Sequence, residues 1–195
     1  MEHAQGCVGV DNAALGAAIA RSAMNGVYAG STAVLIDSAP GDNGVRERLA
    51  AARAALEEGE RRVVEVTPVQ NQSLAEQLAD VVEQTNPAAI LAFEASALET
   101  AADLVRTIHE ENTQEPPLLY GMGSTPAIAA GLEQSQITAL HAQDDFSSGY
   151  IAVLTAVRAV RHQPVQTPEP LPFLLIRQEN MYDMDRQKLL FPVIR

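Results

Sequence analysis

At 195 residues and 47% hydrophobic content, the chain is long enough for one α/β core, or one core plus a small extension, and too apolar to be a disordered segment. Thirteen basic residues stand against twenty-five acidic ones, a net charge of −12 with Lys188 the only lysine; this argues against nucleic-acid binding, which needs a basic patch, and disfavours docking on an anionic membrane. Cys7 is the only cysteine, so an intrachain disulfide and a cysteine-based metal cluster are both excluded, and it reads as a half-buried thiol.

The chain opens at the tail of a strand, Val8-Gly9-Val10, which runs directly into a helix over Asn12–Asn25 with Asp11 as N-cap and Gly26 beyond its end. Ala33–Ile36 reads as a buried strand, followed by the loop Ser38–Gly44 and a helix over Val45–Glu58 closed by Gly59. Next come a strand at Val63–Val66 and a helix at Ser73–Gln84, with Leu74, Leu78, Val81 and Val82 on one face and Asn86-Pro87 as the stop. Ala89–Phe93 is a strand and Ser96–Glu110 a helix. Pro117–Tyr120 is a strand, Gly121–Ser124 a tight turn, Thr125–Leu132 a short helix and Ile137–Leu140 a strand. A long helix over Asp145–Arg161 leads into a linker, Gln163–Pro172, that carries four prolines. Phe173–Ile176 is a last strand, and the tail ends in the apolar Leu189-Leu190-Phe191-Pro192, expected to pack. The βα alternation predicts a three-layer α/β/α sandwich with a mostly parallel sheet.

No segment reaches the roughly 18 apolar residues of a membrane span. Met1–Cys7 has no basic region followed by an apolar one, so a signal peptide is not expected in it. The loop Gly41-Asp42-Asn43-Gly44 lacks the Gly-Lys-Ser/Thr ending of a phosphate loop, and no GxGxxG follows a strand. His3, His109, His141 and His162 are too scattered for a helical metal pair, so no metal or other cofactor is expected. His109 suits the last turn of its helix, and His141 is a candidate to line a crevice. Ser96 and Ser124 follow strands without a nearby base, and there is no Gly-x-Ser-x-Gly elbow.

In an open parallel sheet, ligands sit off the carboxyl ends of the strands. Asp37, Ser38, Arg48, Glu94, Ser96, Ser124, Thr125, His141 and Gln143 fall there: donors and acceptors, few aromatics and no activated nucleophile. That composition describes a binding crevice better than a catalytic one. Ser38, Ser124 and Thr125 read as ordinary cap or loop residues, whereas a guanidinium one turn into its helix, Arg48, suits hydroxyls or a carboxylate.

The ordered motifs resemble the C-terminal lobe of type 1 periplasmic binding proteins, the ribose- and galactose-binding class of sugar receptors for ABC transporters, a fold shared with LacI-type repressors. Val10-Asp11-Asn12 followed by Gly16 is similar to the family's entry into the second lobe, and Arg46-Glu47-Arg48 to its Arg-x-Arg ligand helix. Asn86–Ala92 resembles the strand leading to the next ligand position. Gly121–Pro126 stands where Gly-Phe-Asp-x-x-Pro is usual, and Ile137–Ala139, Gln143 and Gly149 resemble the hinge strand and the helix beyond. Gln178–Tyr182 and Gln187–Pro192 look like the end of transporter receptors more than of repressors.

The resemblance implies that Arg48, Glu94 and Gln143 contact the ligand, with Ser96 and Gly123 lining the crevice and Val10, Asp11 and Gln143 at the hinge. Two positions depart from the pattern: the usual acidic ligand is Gly123 here, and the usual Asn-Asp pair is Glu94-Ala95. The implied organisation is a ligand-binding lobe over residues 8–143, a crossover helix and linker over 144–171 that would pack on an absent first lobe, and a returning strand and tail over 172–195. The chain then reads as a fragment of a sugar- or polyol-binding subunit of an ABC uptake system, not an enzyme, acting in the periplasm or at the outer face of the envelope. Its partners would be a sugar-like ligand and, in the complete protein, a permease; no nucleic acid is expected to bind this segment. The alternatives are the effector domain of a LacI-type regulator, which an upstream helix-turn-helix would reveal, and a small α/β enzyme, which turnover dependent on Glu94 or Ser96 would reveal. As a lone lobe the chain is expected to bind its solute weakly and to self-associate, its 145–161 helix folding back on the sheet or pairing with a second copy.

Overall fold

Five of the helices start on a side chain made for the purpose. Asp11 accepts a hydrogen bond from the Ala14 amide at 2.9 Å to open α1 (Asn12–Met24), and Asp42 accepts one from Val45 at 2.8 Å to open α2 (Asn43–Glu58). Ser73 and Glu76 form a reciprocal capping box on α3 (Leu74–Thr85). Thr125 caps α5 (Pro126–Glu133), and Asp144 caps α6 (Asp145–Val160). The computed structural model describes residues 8–112, 115–165 and 170–191; Cys7, His3, Pro192 and part of the proline-rich linker lie outside the described residues.

Between these helices run β1 (Thr32–Ile36), β2 (Arg62–Val66), β3 (Ala89–Ala92), α4 (Ala95–Glu111), β4 (Leu118–Met122), β5 (Ala139–Gln143) and β6 (Phe173–Ile176). They make one six-stranded sheet in the order β2-β1-β3-β4-β5-β6, parallel throughout except for β6, which pairs antiparallel with β5. Alternation along the central strands sorts the core into two layers. Ala33, Leu35, Leu91 and Phe93 pack against Leu15, Ile19 and Leu56 of α1 and α2. Val34, Ile36, Ile90 and Ala92 pack on the other side against α3, α4 and α5. The fold is the three-layer sandwich that the alternation predicts.

Three segments of the sheet and tail depart most from the sequence reading. Gly121 and Met122 belong to β4 and not to a turn, because the bare Gly121 backbone fits where a Cβ would come within 2.7 Å of the Ala92 carbonyl. β5 starts two residues later and runs on to Gln143, since β6 supplies a ladder from Leu140↔Ile176 to Gln143↔Phe173. The tail holds more structure than a packed apolar end: a 3₁₀ turn at Gln178–Asn180 precedes α7 (Met184–Leu190), which buries Leu190, while Phe191 stacks on Tyr182.

The largest departure is α6. It does not fold back on the sheet: none of its residues is buried, and Phe146 and Val160 are 82% and 80% exposed. Tyr150, Val153, Leu154 and Val157 continue the apolar stripe between them. No helix of the described residues is long and apolar enough to cross a membrane.

Candidate functional site

The strand order puts the carboxyl ends of β1 to β5 along one edge of the sheet, with the start of β6 beside the end of β5. Arg48 reaches this edge from the second turn of α2. Its Nε donates to the Phe93 carbonyl at 3.1 Å, just past the end of β3, and its Nη1 donates to Asn12 Oδ1 at 2.5 Å. Two of its nitrogens are thus fixed, and the guanidinium is held half-buried across the strand end. Burial pulls its pKa below the usual arginine value, opposed by the negative charges of Asp42, Glu94 and Glu47.

Glu94 takes the N-cap position of α4 but makes no side-chain cap bond. Its carboxylate instead accepts a hydrogen bond from the Ser96 hydroxyl, which leaves lone pairs for another donor. Gly123 follows β4 at φ +144°, a conformation that glycine tolerates and side chains rarely adopt; a Cβ there would meet Ile128 Cδ1 at 2.5 Å and Ala95 Cβ at 3.2 Å. This backbone explains why no acidic side chain stands at that position.

Arg48, Glu94, Ser96 and Gly123 therefore cluster around the ends of β3 and β4. Gln143 stands apart, at the end of β5, two strands from β3 and so about 10 Å away. Its Nε2 donates to Asp145 Oδ1 at 2.7 Å. Beside it the segments at Val10 and Phe173 meet: Gly9 O accepts from the Leu171 amide at 2.9 Å, Phe173 pairs with Gln143, and Val10 packs on the same core layer as Phe173.

Other strand-end residues divide. Thr125 caps α5 through the Ile128 amide at 3.2 Å and donates to Glu99. Asp37 Oδ1 and Ser38 Oγ are buried with no hydrogen-bond partner among the described residues, and burial, then the charge of Glu65, raises the Asp37 pKa against the pull of Arg46. His141 does not line the crevice. It is a member of β5 itself, buried, with its ring edge-on to Phe173 at 5.7 Å. Burial, then the charges of Arg177 and Arg21, lowers its pKa to about 4. Among the described residues no group of three or more His, Cys, Asp or Glu is placed to hold a metal ion.

The sequence reading missed Asn12, which bridges Arg48 and, through its Nδ2, Glu47 Oε2 at 3.2 Å. The available signal was its place directly after the N-cap Asp11 and one turn before Gly16, where a small residue marks a close helix crossing.

The sequence matches the periplasmic binding protein domain family over residues 3–164. The chain belongs to the periplasmic binding protein family. Solved structures of similar fold include a solute binding protein of an ABC transporter from Agrobacterium vitis with bound D-fucose, at TM-score 0.86 and 14% identity, covering 97% of this chain and 66% of that one. A carbohydrate transporter solute binding protein from Agrobacterium radiobacter in complex with D-arabinose aligns at TM-score 0.81 and 17% identity, covering 95% and 65%. A putative LacI transcriptional regulator from Bacteroides fragilis aligns at TM-score 0.76 and 16% identity, covering 91% and 63%. This periplasmic-binding-protein chain thus spans less than two thirds of the length of those structures. No curated protein sequence matches it.

Proposed function

We propose that the chain is the second lobe of a solute-binding subunit of an ABC uptake system, acting in the periplasm and holding a sugar or polyol at the strand ends. The observation that supports this reading is the Arg48 guanidinium anchored just past the end of β3, the strand end at which the Glu94 carboxylate also stands, in a family of periplasmic binding proteins. Arg48 would donate to ring or hydroxyl oxygens, Glu94 would accept from hydroxyls, and the Gln143 amide would bridge at the hinge, with Ser96 and Gly123 lining the crevice. Binding is favoured over catalysis because the chain belongs to a family of binding proteins and His141, the histidine expected at the strand ends, is buried within β5. A LacI-type effector domain is the second reading, supported by the Bacteroides fragilis regulator of the same fold. A helix-turn-helix upstream of the lobe in the gene would favour it.

In the complete receptor, Arg48→Ala is expected to weaken sugar binding by roughly 1.5–3 kcal/mol, about 10- to 150-fold, the contribution of a charge-assisted hydrogen bond. Calorimetric titration with D-fucose and D-arabinose measures it. An affinity unchanged within a few tenths of a kcal/mol for a sugar that binds the parent protein would remove Arg48 from the site.

The same reading covers the α6 stripe with a first lobe in the complete receptor. The 195-residue chain on its own should then bind sugar weakly, since one open face cannot enclose a ligand, and should sediment above monomer mass. Val153→Glu with Val157→Glu should restore the monomer and remove any dependence of the unfolding midpoint on protein concentration, because neither side chain is buried within the lobe itself. A parent chain that is monomeric at high concentration would show that the exposed stripe needs no cover.

A further inference from the structure

We propose that Asn12 is the positioning residue for the Arg48 guanidinium, tying the site's main cation to the segment that enters α1; the proposal rests on the reading of Arg48 as a ligand contact. Asn12 is the first residue of α1, directly after Asp11, and Asp11 is itself fixed by its cap bond to Ala14. The amide can serve Arg48 in one orientation only. Glu47 Oε2 accepts from Nδ2 at 3.2 Å, and a carboxylate has only acceptors, so the NH₂ end must face Glu47. That turns Oδ1 toward Arg48 Nη1, 2.5 Å away.

The second anchor, Phe93 O on Nε, lies just past the end of β3. The planar guanidinium is therefore pinned between the start of α1 and the end of β3, and its free N–H bonds point where those two pins allow. Removing one pin leaves a fork that swivels about the other. A neutral acceptor also does this without adding a fourth carboxylate to Asp42, Glu47 and Glu94, so the positive charge stays available to a ligand. Because Asn12 adjoins Val10 and Asp11, any movement of the hinge segment moves the pin, and with it the direction in which Arg48 donates.

The 195-residue chain with ¹⁵N-labelled arginine tests this without any ligand. The Arg48 Nη1–H resonance, the one bonded to Asn12, is assigned by its loss in Arg48→Lys. In Asn12→Ala its exchange with water is expected to rise about tenfold or more, as suits the loss of one charge-assisted bond, and its shift to move toward that of exposed arginines. The Arg53 Nε–H, held by Glu65 at 3.0 Å, should not change. Asn12→Asp retains the acceptor and should keep Arg48 exchange within about twofold of the parent. The proposal is overturned if Asn12→Ala leaves Arg48 exchange within twofold, if Arg53 loosens equally, or if Asp fails as badly as Ala. A null result for Arg48→Ala in sugar titration would sink the functional reading alone, since none of these resonances depends on sugar.

Discussion

Gly16→Ala is expected to destabilise the lobe by at least about 3 kcal/mol, the upper part of the range for overpacking, from the addition of a single methyl group. A Cβ at this position would lie 2.0 Å from the Arg48 carbonyl oxygen, 2.6 Å from its carbonyl carbon and 2.7 Å from its Cα. All three are backbone atoms of α2, so no side chain can rotate out of the way, and α1 and α2 must separate along their whole contact. The separation also draws Asn12 away from Arg48. Gly149→Ala is the control: it lies in α6 with nothing within 4 Å of its Cβ position, and should be neutral or stabilise by up to about 1 kcal/mol through helix propensity. Urea unfolding of both variants settles the matter, and a Gly16→Ala midpoint close to the parent's would mean that the helices have room to spare.

Acidification should unfold the lobe through His141. Its folded pKa, about 4, lies below the ordinary value of 6.5, so the unfolded chain takes up the proton first. Stability is therefore level above about pH 7, falls as the pH drops through 6.5, and stops falling on this account near 4. The full difference of about 2.5 units corresponds to roughly 3 kcal/mol. In His141→Gln that slope between pH 6.5 and 4 should be absent, while the carboxylate contribution at lower pH remains. Denaturation midpoints taken every half unit of pH, in parent and variant, supply the comparison. Parallel curves would show that the imidazole is accommodated charged.

The parts of the fold that sequence made legible are those governed by local chemistry. Asp11, Ser73, Asn86-Pro87 and Gly59 mark helix ends by hydrogen bonding and backbone preference alone, and the structure places ends there. Gly121 and the end of β5 escape the sequence reading because their pairing depends on strands distant in sequence: Ala92 on β3 in one case and β6 in the other. His141 is misplaced for the same reason, since the three-residue extension of β5 beyond Leu140 turns a loop residue into a buried strand residue. At the site, Arg48 and Glu94 could be reached from their positions after strands, but Asn12 could not, because its partner lies 36 residues away on another helix. The family pattern joined Asn12 to Gly16 without saying why; the helix crossing supplies the reason.

β5 and β6 are hydrogen-bonded neighbours, yet residues 144–172 separate them in sequence. Closing that gap is an entropic cost that grows only with the logarithm of its length, so doubling it adds merely ~0.6 kcal/mol. That gap is shorter than the one the sheet already closes between β1 and β3, residues 37–88, so bringing β6 to its place is no harder a closure than the parallel strands make among themselves. The seam between β5 and β6 is accordingly where the lobe tolerates lengthening, shortening or threading through another body at little cost.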